Sequence, residues 1–214
     1  MQLMVFANPE LLPLLQQKKV DLFMDGTWDC TPAPFKQTYI IMVHDQQTGK
    51  YVPVITILMT HFNQYLYWEA LTRVVVLSDW KLDVGSYTTD FERAVMNECA
   101  QHFPEGVHIG CFFHLKQAIR KHMLEKLKFD GDVISAFMET GAFDLLTILP
   151  HDEVESYGID YLRSIFEPDD LSVEKKARWV EFWNYYGRKW SPILDSLNRT
   201  NNALERYNRR FNDL

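Results

Sequence analysis

Hydrophobic positions along the chain follow two periods in turn. Residues 39–43 and 51–59 are apolar, β-branched runs separated by the polar segment His44-Asp45-Gln46-Gln47-Thr48-Gly49-Lys50. Two such runs around a turn-forming segment predict a β-hairpin. Residues 20–24 form a third run just upstream and predict a further strand. Pro53 has no N–H to donate, so its strand is expected at a sheet edge, or to begin after it. From 63 to 77 the period changes: Leu66, Ala70, Val74 and Leu77 share one stripe, which predicts a helix. Residues 84–88 then predict a short strand. Thr89-Asp90-Phe91-Glu92 has the spacing of a capping box, in which the hydroxyl reaches the third helical position and the carboxylate reaches back. The helix it opens is expected to run to about Phe103, where Pro104-Glu105-Gly106 stops it. Residues 107–111 predict another strand, and a helix follows from about Phe112 to Leu127.

The expected order is three strands, helix, strand, helix, strand, helix. Leading strands joined by short turns suggest an antiparallel meander, and the later alternation adds parallel strands. The fold class is therefore α/β, a mixed sheet with helices on its faces. From 129 to 190 the strand signal disappears and helical spacing dominates, broken at Glu167-Pro168-Asp169-Asp170 and at Ser191-Pro192. This predicts a core over 1–128, an all-helical insertion over 129–195, and a final core helix within 196–214.

Composition narrows the class. Hydrophobic residues make up 47% of the 214 residues, enough for a core and against wholesale disorder. The formal net charge of −7 argues against a general nucleic-acid binder, since phosphate affinity comes mainly from Lys and Arg. Three cysteines, Cys30, Cys99 and Cys111, include no C-x-x-C pair, so neither a disulfide framework nor a zinc ribbon is expected. No stretch approaches the 18 or so apolar residues of a membrane span, and the first 13 residues have no signal-peptide pattern.

Three acids fall where a carboxylate can be held rigidly: Asp25 at the end of the first run, Asp90 at a strand–helix junction, and Glu205 on the last helix. Two-metal phosphoryl transfer needs such a set, because Mg²⁺ prefers hard oxygen ligands. Each also has a plainer reading. Asp25-Gly26 suits a hairpin turn. Asp90 suits a helix N-terminus. Asn202 and Glu205 have capping-box spacing. On the last helix Asn201, Glu205, Asn208 and Asn212 share a polar stripe apart from Leu204, Tyr207 and Phe211. That stripe suits either a site or a solvated face.

Cys111-Phe112-Phe113-His114 has C-x-x-H spacing, but zinc wants four ligands and no second pair is present. Lys116, Arg120, Lys121, His122, Lys126 and Lys128 make one basic stretch, and Arg199, Arg206, Arg209 and Arg210 another. Both suit DNA phosphates as well as ordinary solvated faces. Trp179, Phe182, Trp183, Tyr186 and Trp190 recur at helical spacing and are expected to pack together.

Four motifs in order carry a family resemblance over nearly the whole chain. Asp25-Gly26-Thr27-Trp28 with Pro34-Phe35-Lys36-Gln37, Thr89-Asp90-Phe91-Glu92-Arg93-Ala94, the segment His108 through Ala118 around Cys111 and His114, and Arg199-Thr200-Asn201-Asn202-Ala203-Leu204-Glu205-Arg206 resemble the catalytic domain of Mutator-like element (MULE) transposases. The resemblance implies an RNase H-like, mixed five-stranded sheet flanked by helices, with a helical insertion before the last acid. It implies DDE chemistry: two Mg²⁺ (or Mn²⁺) ions on Asp25, Asp90 and Glu205, DNA strand cleavage, and strand transfer. It gives Cys111, His114, Asn201 and Asn202 supporting roles. Lys116, Arg120, Lys121, Arg199, Arg206, Arg209 and Arg210 become candidate DNA contacts. Expected partners are double-stranded DNA at the element ends and target, and a second copy of the chain. A nuclear location and no membrane association are expected.

The chain departs from the family in showing no zinc-finger-type DNA-binding region before the core. That departure supports an alternative, a catalytically silent, transposase-derived module binding DNA or protein. A nuclease acting on RNA–DNA hybrids is a third reading the fold class permits.

Overall fold

The computed structural model describes residues 1–139, 142–190 and, as backbone, 197–198. The β-branched runs pair as their alternation requires. β1 (Leu3–Ala7), β2 (Val20–Thr27), β3 (Gln37–Asp45), β4 (Lys50–Met59), β5 (Val84–Thr89) and β6 (Val107–Cys111) lie in one mixed α/β sheet. Their order is β1-β4-β3-β2-β5-β6, followed by a two-residue strand, β7 (Leu197–Asn198). β2, β3 and β4 form the antiparallel meander, while β5 pairs parallel with β2 and β6 parallel with β5. The β3–β4 hairpin turns through Gly49, whose φ of 65° is a left-handed conformation that glycine adopts without strain.

The expected five strands gain β1, which pairs antiparallel with β4 from Leu3↔Met59 to Ala7↔Ile55. Its outward residues Met4 and Phe6 are themselves apolar and about half exposed, so no polar alternation marks the strand. β1 also resolves the position of Pro53. It covers β4 only from Ile55 onward, leaving Pro53 on the uncovered half, where no partner strand wants its missing N–H. A register shift between Ile41 and Met42 sits just there.

Helices α1 (Gln64–Leu77) and α2 (Arg93–His102) follow β4 and β5, and α3 (Phe112–Glu125) follows β6. Asn63 caps α1, its side-chain oxygen accepting from the Leu66 N–H at 3.0 Å. The buried stripe of α1 is Leu66, Tyr67, Ala70, Leu71 and Val74. It packs in one cluster with Leu22, Met24, Tyr39, Ile41, Val43, Ile55 and Ile57 of the sheet, and with Val95, Cys99 and Phe103. Alternation sends Phe23, Ile40 and Met42 to the opposite face, where Tyr51 packs against them.

The chain divides into two compact units: residues 1–112 with 198–214, and residues 113–197. The second contains α3, α4 (Gly131–Phe137), α5 (His151–Glu153), α6 (Asp160–Phe166) and α7 (Val173–Lys189), with a π-helical turn, Val154–Ile159, joining α5 to α6. Its core is aromatic. Phe137 is fully buried and meets Phe143, Phe166, Trp179 and Phe182 with ring centroids 5.1–5.7 Å apart. The Trp179-to-Trp190 repeat packs inward as its spacing predicts: Trp179, Phe182, Trp183, Tyr186 and Trp190 are all buried. Among the described residues no helix is long and apolar enough to cross a membrane.

Candidate active site

Along β2 the face opposite α1 grades from apolar to polar: Phe23, then Asp25, then Thr27. The neighbouring β3 residues on that face do the same, from Met42 through Ile40 to Thr38. Asp25 therefore sits where the sheet changes character, 5% exposed and directly opposite Ile40. A carboxylate buried this far is costly unless something compensates its charge. Its Oδ1 accepts from the Gly26 N–H at 2.9 Å.

The parallel register on the other side of β2 pairs Phe23 with Thr88. Asp25 and Asp90 each lie two residues beyond that pair, past the registered part of the two strands. Asp90 stands one residue past the end of β5. Its Oδ1 accepts from the Glu92 N–H at 3.0 Å, a local turn that fixes the carboxylate. The fields of both acids reach one hydroxyl. Tyr39, buried beside Gly26, has its pKa pushed well up by burial first, with Cys99, Tyr67, Asp90 and Asp25 adding to it. Its hydroxyl is buried with no hydrogen-bond partner.

The expected capping box is not formed. α2 begins at Arg93, with Glu92 as its N-cap and no side-chain cap bond. The Thr89 hydroxyl instead donates to the Asp90 carbonyl at 2.8 Å and lies 2.9 Å from His108 Nε2. Thr89 is the last residue of β5 and fully buried, so its hydroxyl turns to the neighbouring strand rather than to a helix three residues away. Burial lowers the pKa of His108, against the pull of Asp90.

Glu92 is freed for another task. The Tyr67 hydroxyl donates to Glu92 Oε2 at 2.8 Å and lies 3.2 Å from Gln37 Oε1. Burial raises the Glu92 pKa, the Tyr67 bond opposes this, and Asp90 raises it further. The Gln37 amide fills the space over Gly26 so closely that a Cβ there would fall 1.9 Å from Nε2. Gly26, Gln37, Tyr67 and Glu92 thus form a polar chain on the α1 side of the sheet. One end adjoins Asp25 in sequence, and the other holds the N–H that fixes Asp90. Sequence reasoning missed this chain. No pattern in the sequence singles out Tyr67, and Glu92 reads as a cap.

Glu205, the third candidate acid, lies outside the described residues, as do Arg199, Asn201, Asn202, Arg206, Arg209 and Arg210. Among the described residues no three His, Cys, Asp or Glu side chains gather closely enough to hold a metal. Cys111 is buried at the end of β6, and His114 is on α3 in the helical unit. The Lys116 ammonium is 2.7 Å from Asp144 Oδ1 and 2.8 Å from the Met138 carbonyl, so it tethers α3 within the helical unit and its charge is already matched. Arg120 and Lys121 are exposed on α3, with no ion-pair partner among the described residues.

Residues 22–118, just under half of the chain, match the family model of the MULE transposase domain. That stretch contains Asp25, Asp90, Cys111 and His114. Among solved structures the chain is similar to the Drosophila P element transposase strand transfer complex, at 9% identity with a TM-score of 0.36. The match covers 95% of this chain and 53% of that one, so the chain spans about half the length of that structure. No curated protein matches the chain.

Proposed function

We propose that the chain is the catalytic core of a metal-dependent DNA transposase with an RNase H-like arrangement, in which Asp25, Asp90 and Glu205 hold two Mg²⁺ (or Mn²⁺) ions. The β2–β5 register supports this reading: Asp25 and Asp90 each follow by two residues the pair Phe23↔Thr88 of neighbouring parallel strands, within the segment that matches the MULE transposase domain. The donor set fits: carboxylate oxygens are hard ligands of the kind Mg²⁺ takes. When bound, two such ions activate a water and stabilise the attacking and leaving oxygens of a displacement at phosphorus.

The protein's own residues supply position. The Gly26 N–H orients the Asp25 carboxylate, and the Glu92 N–H orients that of Asp90. Tyr67 and Gln37 hold Glu92 and Gly26 in turn. Groups fixed in advance lose no ordering free energy when the DNA arrives. Water cleaves a phosphodiester at the element end, leaving a 3′-hydroxyl and a 5′-phosphate. The 3′-hydroxyl then displaces a 3′-oxygen in target DNA, with no covalent protein–DNA link. On this reading the partner is double-stranded DNA at element end and target, brought together by two copies of the chain in the nucleus. Cys111 and His114 support the site.

The test is nicking of an end-labelled duplex in Mg²⁺ and in Mn²⁺. Asp25→Ala and Asp90→Ala are each expected to lose about 10³-fold or more of the rate, as befits several kcal/mol of lost charge stabilisation. Nicking retained by either folded variant, or absent from the wild type in both metals, would sink the reading in favour of a silent binding module.

A further inference from the structure

The helical unit holds a groove with an unbalanced charge. His122, Lys126 and Leu127, at the end of α3 and just beyond it, and Glu181, Asn184, Tyr185 and Arg188 of α7 line a space of about 470 Å³. Its floor is a ring stack: His122 lies on Tyr185 with centroids 3.6 Å apart and planes 8° from parallel. The Lys189 ammonium lies 5.7 Å over the Tyr185 ring and 4.8 Å over that of Trp190.

The cations here have almost nothing to pair with. Among the described residues Lys126 and Lys189 are in no ion pair, and Arg188 Nε bonds the Asn184 carbonyl at 3.0 Å. Among the described residues Glu181 is the one acid lining the groove. Elsewhere in the same unit Lys116 is matched with Asp144, Lys175 with Asp130, Arg178 with Glu174 and Arg163 with Glu167, while Arg120 and Lys121 stand exposed outside the groove. The field in the groove is felt by His122, whose pKa falls through burial and then through Lys189 and Lys126, with Glu181 opposing. One cation near a helix end satisfies the helix dipole. Two helix ends that bring their cations to one groove pay like-charge repulsion, which an anion relieves. In a chain of net charge −7 this local excess is not a by-product of a basic composition.

We propose that the α3–α7 groove binds the phosphate backbone of duplex DNA, with Lys126 and Arg188 as the contacting cations. The assignment rests on the DNA-transposase reading for its partner and on the groove's geometry for its place. It moves the DNA contact on α3 away from Lys116, whose charge is matched, toward the far end of the helix. Backbone cations fix a duplex in position without reading its sequence, which suits an enzyme that must hold both an element end and an unrelated target.

The test measures the affinity of the whole chain for a short duplex across a salt series by fluorescence anisotropy. Each phosphate contact contributes about 0.9 to the slope of log K against log salt. The double variant Lys126→Ala/Arg188→Ala is expected to lower that slope by about 1.8. The control Lys50→Ala/Lys81→Ala removes the same charge from exposed positions in the sheet unit and is expected to leave the slope unchanged. Both pairs are exposed, and circular dichroism checks their folding. An unchanged slope in the groove variant, an equal fall in the control, or a wild type that binds no duplex at about 50 mM salt overturns the groove. Metal binding at Asp25 and Asp90 is scored separately, so a chain that binds Mn²⁺ there while its groove variant keeps the wild-type slope retains the catalytic reading and loses only the groove.

Discussion

The sheet unit and the helical unit fill their interiors with opposite chemistry. Among the described residues, every buried polar or charged side chain belongs to the sheet unit: Asp25, Thr27, Gln37, Thr38, Asp45, Ser78, Thr88, Thr89 and Glu98. The helical unit buries aliphatic and aromatic groups, and keeps its charges on the surface. A buried polar group is unfavourable unless bonded, so a protein that retains many in one place has a use for them there. Five of the nine, Asp25, Thr27, Gln37, Thr38 and Thr89, lie at the ends of β2, β3 and β5. On the proposed reading the sheet unit is built around a site, and the helical unit around its own packing.

The largest expected effect breaks the helical half of this contrast. Trp179→Ala removes a side chain buried among Phe129, Phe137, Phe166, Phe182 and Trp183. It should lower stability by about 3–5 kcal/mol, read from urea unfolding. A loss under about 1 kcal/mol would mean that the ring cluster does not hold the unit together.

Tyr67→Phe sharpens the sheet half. It deletes one hydroxyl from the chain joining Gln37 to Glu92, keeps the ring in the core, and touches neither acid. Loss of such an outer partner should cost about 10–100-fold in Mn²⁺ affinity or nicking rate, with the melting transition little changed. Glu92→Gln, which still accepts from Tyr67, should recover most of the activity that Glu92→Ala loses. Equal loss in both Glu92 variants would show that the carboxylate charge, not the bond, matters.

The smallest effect separates buried polarity that serves folding from polarity that serves the site. Asp45, at the other end of β3, accepts from the Thr48 hydroxyl, the Gln47 N–H and Gln17 Nε2, and these bonds hold its pKa below the usual value. A lowered folded pKa means stability that is present above the unfolded value, about 4, and lost as pH falls through the folded one. Asp45→Asn should therefore flatten the acid limb of stability against pH and leave nicking untouched. An unaltered acid limb would show that the hairpin bonds carry no such linkage.

How much of this was legible beforehand differs between the same two regions. The meander and the strand–helix alternation after it could be read from residues 20–59 and 84–127, because those strands alternate or run apolar between clear turns. Asp25 and Asp90 were legible as residues at strand ends. That they follow neighbouring strands was not, since it depends on β2 pairing parallel with β5 across some 60 residues of chain. β1 was invisible because Met4 and Phe6 put apolar side chains on the exposed face. Thr89-x-x-Glu92 was misread because a capping pattern does not reveal that Thr89 is buried at a strand end and that Tyr67 waits for Glu92. In the helical unit the aromatic spacing alone sufficed for the core. The charge run of α3 did not separate Lys116, matched by Asp144, from Lys126, which meets Arg188 only once α7 is in place.

The central claim is that Asp25 and Asp90 form one metal site. Titration of the chain with Mn²⁺ by calorimetry, alone and with a short DNA duplex present, tests it most directly. The expected result is binding that Asp25→Ala and Asp90→Ala each abolish while both variants keep the wild-type fold. Wild-type Mn²⁺ binding by either variant in both formats would contradict it, because two carboxylates that share a site cannot be removed one at a time without loss.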